Sequence, residues 1–344
     1  MPAMTHSLQT AHPAAAILPP FAYPWPAAAA DETAGMSAFR CASHEEFLAR
    51  FTQIARHVSV HGYALIEAWD AEQQTLKEVS QRFGQVQSHV RADANGLVGT
   101  STDTVVNREW EKFRSEYHGV SAEEFLPHTD GSYLYGLLHR DGKYIQLQPP
   151  GMLILQCWQK APAGGANILI DGQQVFADLL VSRPRYAEIL STKGCVTYCR
   201  DDQIAFDRTV FEKQEDGSVA LRFRYDSTAY LADWGLEAFH ALQRDYWSNP
   251  KYEMSVTLEK GQILAIDNTR MLHGRQAFAA DESGKARSIR RIWIARKGGT
   301  VLGNAMDEHK DRRALQRFQA YDILDSAEGE VGSPALSLGI RPSM

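Results

Sequence analysis

Hydrophobic positions near the start of the chain recur every three or four residues, a spacing that predicts two amphipathic helices. The apolar positions are Phe47, Phe51, Ile54 and Val58 in the first helix and Leu76, Val79 and Phe83 in the second. Ser43 followed by Glu46 is the pattern of a capping box and marks the start of the first helix. Asp70 opens the second helix and Gly84 ends it, and a short strand at residues 63–67 lies between the two.

Beyond residue 130 the apolar residues form short runs separated by turn residues, which is typical of β-strands. The predicted strands lie at residues 152–158, 167–171, around 195, 221–225, 254–258, 263–266 and 288–295, with helical stripes at residues 173–180 and 236–246. Many short strands, with helices gathered mainly at the N-terminal end, predict a β-sandwich or barrel with peripheral helices. Residues 37–344 show neither an internal repeat nor a linker, so we expect one domain there. No Gly-x-Gly-x-x-Gly motif opens a helix after a strand, which argues against a dinucleotide-binding fold.

Two segments fit neither pattern. Residues 1–36 are rich in alanine and proline and contain no lysine or arginine, so we expect a flexible N-terminal arm and not a secretion signal. Residues 95–127 begin with turn signals and continue with alternating charged and aromatic residues, among them Glu109 and Trp110. This second segment is either a solvated surface stretch or a lid that closes over the site that follows it.

Composition and charge narrow the classes of function. The chain has 344 residues, of which 44% are hydrophobic and 23% charged, as in ordinary soluble globular proteins. A net charge of -6 argues against broad electrostatic binding of nucleic acid or acidic membranes, and no apolar run is long enough to span a bilayer. The four cysteines are too few and too scattered for a disulfide framework. We therefore expect free thiols, a cytoplasmic location and a small-molecule partner, and a homo-oligomer stays open.

The candidate chemistry is concentrated in the tripeptide His128-Thr129-Asp130. In an extended strand, side chains at i and i+2 point to the same side, so His128 and Asp130 are presented together. An isolated His-x-Asp is more often a surface or turn pair than a metal site. Two histidines and one carboxylate, however, are the ligand set of non-haem Fe(II) oxygenases. His273, which we expect on a neighbouring strand, is the candidate for the second histidine.

Two arginines follow a short loop beyond this second histidine. Arg287 and Arg291 differ by four positions and share one face of the predicted strand, whereas Ile292 and Ile294 point the other way. Burying two cations without an anion is costly. The arginines therefore either pair with surface carboxylates or hold an anionic co-substrate, for which arginine offers a permanent, bidentate grip.

These motifs occur together and in a fixed order. They are His128-Thr129-Asp130, Gly164-Gly165 before a short strand, residues 268–274, and Arg287 with Arg291. In this order they resemble the taurine dioxygenase/clavaminate synthase superfamily of Fe(II)- and 2-oxoglutarate-dependent oxygenases, from about residue 44 to about residue 297. Residues 163–172 and 272–275 are most similar to the γ-butyrobetaine and trimethyllysine hydroxylase branch.

The resemblance implies a mainly β fold with peripheral helices and a double-stranded β-helix (jelly-roll) core. It also implies a catalytic Fe(II) ion bound by three side chains, namely His128, Asp130 and His273. A small residue replaces the carboxylate in halogenating relatives, so halogenation is not expected here.

The resemblance assigns the co-substrate 2-oxoglutarate to the arginines. Arg287 would bind its C5 carboxylate, and Arg291 would support that anchor or contact the C1 carboxylate. Family members often have Thr or Ser at the position of Asn167. The amide of Asn167 could still donate a hydrogen bond to 2-oxoglutarate.

The activity implied is hydroxylation of an unactivated C–H bond of a small amine, betaine or amino-acid-like substrate, with O2 as co-substrate and succinate and CO2 as products. Tyr133, Tyr135, Trp110 and Glu109 are candidates for contacts with a cationic head group, although the two tyrosines could equally be strand packing. The same cofactors could instead serve desaturation, epoxidation or cyclisation of a biosynthetic intermediate. A zinc hydrolase, for which the spacing offers no catalytic base, and an inactive jelly-roll binding module are the more distant alternatives.

Overall fold

The computed structural model describes residues 38–87, 97–101, 122–140, 143–200, 203–214, 218–226, 228–279 and 287–296. These residues belong to a compact unit that begins at Ala38. The predicted N-terminal arm, Glu109 and Trp110 lie outside the described residues.

Strands are the commonest regular element among the described residues. They are β1 (Phe39–Arg40), β2 (Tyr63–Glu67), β3 (Val86–Gln87), β4 (Leu97–Ser101), β5 (Phe125–His128), β6 (Gly136–Arg140), β7 (Lys143–Leu147), β8 (Met152–Gln159), β9 (Ala163–Gly164), β10 (Asn167–Asp171), β11 (Val196–Arg200), β12 (Gln203–Arg208), β13 (Phe211–Lys213), β14 (Val219–Leu221), β15 (Ala229–Leu231), β16 (Glu253–Val256), β17 (Gln262–Asp267), β18 (Met271–Arg275), β19 (Phe278–Ala279) and β20 (Ser288–Ile294). The α-helices are α1 (His44–His61), α2 (Gln73–Phe83), α3 (Gly172–Ser182), α4 (Pro184–Leu190) and α5 (Leu236–Leu242). A π-helical turn, Gln243–Trp247, continues α5, and short 3-10 turns occupy Asp233–Gly235 and Pro250–Tyr252.

The two N-terminal helices form as predicted, with one difference at each end of α2. Ser43 caps α1 by accepting from the Glu46 amide at 3.2 Å, and Gly62 ends it in the left-handed region. Asp70 lies three residues before α2 and accepts from the amide of Glu72 at 2.8 Å, so it fixes the approach to the helix without occupying the cap position. Gly84 ends α2 without the left-handed conformation of Gly62.

Two antiparallel sheets form the core of the fold. The larger runs β1-β2-β17-β8-β20-β3, with β4 also paired to β20, and only its β1–β2 pair is parallel. The smaller runs β16-β10-β18-β5. Side chains at and just before β20 reach the smaller sheet, with Arg287 contacting Asn167 of β10 and Arg291 contacting Asp130 after β5. This is the double-stranded β-helix that the sequence resemblance implied.

The helices cover the outer face of the larger sheet. Buried apolar residues of α1 and α2, including Phe47, Ile54 and Leu76, pack against Ile292 and Ile294 of β20. The apolar residues from which these helices were predicted are therefore the residues that the helices bury against the sheet. The inner face of the same sheet lines the candidate site.

We expected a lid at residues 95–127, but both ends of this segment are strands. Leu97–Ser101 is a strand whose residues pair with Ser288–Ile292 of β20, and Phe125–His128 is a strand of the smaller sheet. Both ends are therefore part of the hydrogen-bonded core. A lid between them, in residues 102–121, stays a prediction that lies outside the described residues.

The four cysteines are free thiols, as expected. Cys41, Cys157 and Cys195 are buried and Cys199 is partly exposed. Burial raises the pKa of Cys157 to about 11 and that of Cys195 to about 12, which keeps both protonated and unreactive. Among the described helices, none combines the length and the apolar character needed to cross a membrane.

Candidate active site

The strands β5 and β18 bring the two predicted histidines side by side. His128 and His273 are direct partners in this antiparallel pair, and their ring centroids lie 4.4 Å apart. Gly274 allows the close approach, since a Cβ at this position would lie 2.7 Å from the carbonyl oxygen of Phe125. One strand pairing thus brings together two histidines that are far apart in the sequence.

Asp130 completes the cluster at the turn that follows β5. Its Oδ1 lies 3.5 Å from Nε2 of His128 and 3.8 Å from Nε2 of His273, and one ligand atom from each of the three lies within 4.8 Å of the others. All three side chains are buried. The arrangement can hold one metal ion with two imidazole nitrogens and one carboxylate oxygen on the same side.

The hydrogen bonds of His128 test whether the cluster fits a metal. Nδ1 of His128 lies 2.9 Å from the carbonyl oxygen of Leu126. A carbonyl only accepts, so Nδ1 carries the proton and the lone pair of Nε2 faces the cluster. Nε2 is buried and has no hydrogen-bond partner among the described residues. A buried, unpaired lone pair is what a bound cation would satisfy, so the residues fit a metal.

The carboxylate of Asp130 is oriented by two donors from β20. Nη1 of Arg291 donates to Oδ2 at 2.6 Å, and Nε1 of Trp293 donates to the same oxygen at 2.8 Å. Oδ2 therefore accepts both of these hydrogen bonds, whereas Oδ1 faces the two histidines. Burial raises the pKa of Asp130, but the Arg291 charge and the neighbouring His128 outweigh it and hold that pKa well below its ordinary value. Asp130 is thus a carboxylate at neutral pH.

Asn268 fixes the backbone of Asp130. Its Oδ1 accepts from the Asp130 amide at 2.8 Å, while its Nδ2 donates to the carbonyl of Asp130 at 3.0 Å and to that of Pro150 at 2.8 Å. The fully buried amide side chain thereby satisfies three polar groups of two separate loops. We expected only a turn at Asn268.

Burial also sets the protonation state of the histidines. It lowers the pKa of His128 from its ordinary value, and burial together with the neighbouring His128 lowers that of His273 well below that value, because two protonated rings would repel each other. The charge of Arg224 lowers both further. Both rings are therefore neutral at pH 7, the state in which imidazole binds a metal.

Arg287 reaches from the edge of β20 to the smaller sheet. Its Nη2 donates to Oδ1 of Asn167 at 2.7 Å, and Nδ2 of Asn167 donates to the carbonyl of Val256 at 3.2 Å. The amide of Asn167 is therefore engaged with the backbone, and its role in this structure is to orient the guanidinium. Burial lowers the pKa of Arg287 to about 10, so its charge persists at neutral pH.

The Gly164-Gly165 turn lies against this arginine. Both glycines have positive φ, at +73° and +74°, and a Cβ on Gly165 would lie 3.0 Å from Cδ of Arg287. A Cβ on Gly164 would collide with the carbonyl oxygen of Ala277. The turn therefore requires both glycines, for backbone conformation and for space.

Arg291 has a protein partner that we did not expect, and its contact with 2-oxoglutarate stays a prediction. The resemblance placed it at 2-oxoglutarate or beside Arg287, and the alternative was a surface carboxylate. It pairs instead with the buried carboxylate of Asp130. Arg287 precedes β20, whose pairing with β8 is irregular between Ser288 and Ile289, and the two arginines contact different side chains, Asn167 and Asp130.

The candidate substrate tyrosines both lie near arginines. The guanidinium carbon of Arg200 is 5.1 Å from the ring centroid of buried Tyr133, and that of Arg208 is 3.8 Å from the ring centroid of exposed Tyr135. These rings therefore already have a protein cation beside them. A cationic head group would have to compete for the same aromatic faces.

Comparison with known proteins assigns the chain to a family. Residues 38–293 match the model of the family described as taurine catabolism dioxygenase TauD, TfdA family. The chain belongs to this family. Uridine-5'-phosphate dioxygenase of Amycolatopsis sp is 24% identical over 268 residues, which cover 74% of the chain and 93% of that dioxygenase.

A second relative of this TauD/TfdA family member is matched over a shorter stretch. Gamma-butyrobetaine dioxygenase of Homo sapiens is 26% identical over 177 residues, which cover 47% of the chain and 46% of that protein. The chain thus aligns with less than half the length of this relative. The branch that the sequence motifs indicated is present among its relatives.

Solved structures show the same fold. Asparagine oxygenase in complex with Fe(II), 2S,3S-3-hydroxyasparagine and succinate superposes with a TM-score of 0.56 at 12% identity, covering 74% of this chain and 85% of that one. The non-heme iron oxygenase OrfP with Fe and alpha-ketoglutaric acid gives 0.51 at 16% identity, covering 73% and 78%. Family and fold together make this protein an oxidoreductase, an Fe(II)- and 2-oxoglutarate-dependent dioxygenase.

Proposed function

We propose that the protein hydroxylates an unactivated C–H bond of a small amine, betaine or amino-acid-like substrate. His128, Asp130 and His273 hold the ferrous ion, and Arg287 binds the C5 carboxylate of 2-oxoglutarate. Residues 37–344 form the single catalytic domain. Succinate, CO2 and the hydroxylated substrate are the products.

The convergence of Oδ1 of Asp130 with two neutral imidazoles is the observation that carries this proposal. Two neutral ligands and one anion leave a ferrous ion with net positive charge and with open positions on one side. Such a centre suits an anionic, chelating co-substrate. Oδ2 of Asp130 is held by Arg291 and Trp293, so Oδ1 is the oxygen that would bind the metal.

The bound iron and 2-oxoglutarate supply the oxidising chemistry, in which O2 converts 2-oxoglutarate to succinate and CO2 and oxidises the substrate. The chain's own residues bind and orient the reactants. Arg287, held in place by Asn167, offers a guanidinium to the remote carboxylate of the co-substrate. The buried side chains of His128 and His273 keep water away from the reacting groups.

The substrate class rests on relatives and on general chemistry. Among the relatives are dioxygenases named for γ-butyrobetaine and trimethyllysine, and among the structural neighbours is an asparagine oxygenase. All three names denote small molecules with an amine or quaternary ammonium group or an amino acid. Desaturation, epoxidation or cyclisation with the same cofactors is the second candidate, since the same oxidising centre can serve all of these outcomes.

An oxygen-consumption screen tests the proposal. Purified protein with Fe(II) and 2-oxoglutarate is offered amines, betaines, amino acids and sulfonates, and the products are weighed by mass spectrometry. A gain of one oxygen supports hydroxylation, and a loss of two hydrogens supports desaturation. A His273→Ala variant should lose the activity, whereas His240→Ala, which alters a partly exposed histidine bonded to Tyr225, should keep it. Failure to bind Fe(II) anaerobically would instead favour a binding module.

A further inference from the structure

Residues 221–226 run beside the strand that carries the proposed iron ligands. The Phe223 amide donates to Oγ1 of Thr129 at 3.0 Å, and the Thr129 amide donates to the carbonyl of Phe223 at 2.8 Å. Phe223 packs into the aromatic core with its ring centroids 4.8 Å from Phe239 and 5.7 Å from Trp247. Its two neighbours in the chain contact residues beside the candidate site, Arg222 the carbonyl of Ser132 and Arg224 the ring of Phe125.

Arg222, the first of these arginines, is engaged by backbone. Its Nη1 donates to the carbonyl oxygens of Ser132 at 2.8 Å and Leu134 at 3.1 Å. Burial lowers its pKa to about 10. Arg222 thereby stabilises the turn that follows Asp130, and these backbone contacts explain why this arginine is buried.

The contacts of Arg224, the second arginine, account for only part of its hydrogen-bonding capacity. It is 5% exposed, and its Nε donates to Asp226, whose Oδ1 is itself taken by the amide of Thr228 at 2.9 Å and its hydroxyl at 2.6 Å. Within the part of the chain that the structure describes, no side chain or carbonyl accepts from the two terminal nitrogens of Arg224. A buried guanidinium with one side paired and the other unassigned has the arrangement of an anion receptor.

The position of Arg224 connects it to the iron ligands. Its guanidinium carbon lies 5.6 Å from the ring centroid of Phe125, and that ring lies 4.0 Å from the ring of His128. The contact of its Nε with Asp226 fixes the guanidinium. An anion bound by the terminal nitrogens would therefore lie close to the reacting centre.

The surroundings favour an anion over a cation. Arg200 and Arg208 lie over Tyr133 and Tyr135, so the aromatic faces considered for a cationic head group are next to protein cations. Bringing a further cation beside these groups would be opposed by repulsion at short range. Among the described residues, the carboxylate in contact with Arg224 is that of Asp226, which also accepts from the amide and hydroxyl of Thr228.

We propose that Arg224 binds an anionic group of the substrate, such as a carboxylate or a phosphate, and selects substrates that carry one. This inference rests on the proposed function, because it concerns the substrate of the same iron centre. It makes an anionic group a requirement of the substrate, which amino acids and betaines meet with a carboxylate and which phosphate esters, outside the class proposed above, meet with a phosphate. Arg224 is here a specificity residue that contacts substrate.

Matched probes and variants test this role. The Fe(II)- and 2-oxoglutarate-loaded protein is titrated anaerobically with L-lysine and cadaverine, which differ by a carboxylate, and with uridine 5'-phosphate and uridine, which differ by a phosphate. Binding is followed by the shift in Tm. We expect stabilisation by at least one anionic member and none by its partner, and the pair that responds identifies the anion as carboxylate or phosphate. In Arg224→Gln the apparent affinity for the anionic probe should fall about 10- to 100-fold.

Arg224→Gln also leaves Asp226 buried without its cation, which could weaken binding through the fold alone. The double variant Arg224→Gln/Asp226→Asn removes both charges and keeps hydrogen-bonding side chains. If Arg224 only neutralises Asp226, the double variant binds the anionic probe as the parent does, and the proposal is overturned. If Arg224 receives the anion, the double variant stays deficient, and Arg224→Lys recovers part of the affinity. Arg244→Gln, which alters an exposed arginine paired with Asp245, is the matched control.

Two further outcomes separate this inference from the proposed function. Stabilisation by cadaverine or uridine equal to that by the anionic partner would overturn the role of Arg224, as would the absence of binding by both anionic probes. In either case the parent protein would still bind Fe(II) and turn over 2-oxoglutarate. Loss of those two properties in the parent would instead refute the proposed function.

Discussion

The two faces of β20 contrast sharply, although they belong to one strand of seven residues. On the outer face, Ile292 and Ile294 pack among the apolar side chains of α1 and α2. On the inner face, Arg291 and Trp293 hydrogen-bond to Asp130 across the space between the sheets. The outer face stabilises the fold through burial of any well-fitting apolar groups. The inner face depends on particular atoms at particular distances.

This difference shows how the jelly roll separates stability from chemistry. A strand presents alternate residues to opposite sides, so a single sequence of seven residues can serve the helical layer and the candidate site independently. Substitutions on the outer face should change the free energy of unfolding and leave ligand binding intact. Substitutions on the inner face and at its partners should do the reverse.

Asp130→Ala is expected to have the largest effect. The variant loses the anionic ligand of the proposed iron site and leaves Arg291 and Trp293 without their acceptor. Substrate-coupled turnover of 2-oxoglutarate should fall by about a thousandfold or more, which corresponds to about 4 kcal/mol of transition-state stabilisation. Anaerobic Fe(II) titration and succinate formation measure the two consequences.

Asp178→Ala provides the matched control for this first prediction. Asp178 is a partly exposed carboxylate that pairs with Lys251 and accepts from Tyr252 at 2.7 Å, so its removal should cost little. Equal losses in the two variants would mean that the inner face has no special role. If Asp130→Ala turned over 2-oxoglutarate as fast as the parent protein, the proposed iron site would be refuted.

Ile292→Ala tests the outer face. Ile292 is fully buried against the helices, and the truncation should lower the free energy of unfolding by about 2–5 kcal/mol through lost burial and a residual cavity. Urea unfolding measures the change. The KM for 2-oxoglutarate should stay at the parent value in the folded variant, and Val181→Ala at an exposed position should leave both properties unchanged. A large rise in that KM would show that the two faces are coupled.

Most of the fold and part of the site could be predicted from the sequence, for reasons visible in β20 and β5. Alternation along a strand predicted that His128 and Asp130 lie together, and the structure does bring them together, although Asp130 belongs to the turn after β5. The two-histidine, one-carboxylate ligand set then indicated His273, and the family match confirms the resemblance that supported this choice. The contacts of Asn268, Trp293 and Arg291 could not be predicted in this way.

These missed contacts join residues far apart in sequence through the stacking of two sheets. The pair Asp130 and Trp293 is separated by 163 positions, and which side chain of β20 reaches the carboxylate depends on register. That register includes an irregularity in the pairing of β20 with β8 between Ser288 and Ile289. Periodicity does not reveal such a shift. A buried polar side chain with several partners, as at Asn268, is the kind of feature that only coordinates supply.

Arg287→Gln should have a smaller effect than Asp130→Ala and should act on the co-substrate alone. Losing a charge-assisted, bidentate contact costs about 1.5–3 kcal/mol, so the KM for 2-oxoglutarate should rise about 10- to 150-fold while Fe(II) affinity is retained. Arg290→Gln is the control from the outer face of the same strand, where Arg290 donates to the carbonyl of Ala71 and stacks on Trp158. Similar KM values for the two variants would rule out Arg287 as the anchor.

Trp293→Phe should have the smallest effect of the series and is the finest test of the contrast. The change keeps an aromatic ring in the core but removes the Nε1 donor to Oδ2 of Asp130, while Arg291 still holds that oxygen. Partners of metal ligands typically contribute about 10- to 100-fold in affinity, and with one of two donors retained we expect about a 10-fold loss of Fe(II) affinity. Anaerobic titration measures it, and urea unfolding checks that the fold is intact. Unchanged Fe(II) affinity would mean that Arg291 alone orients the carboxylate, and that Trp293 belongs with the isoleucines as a packing residue despite facing inward.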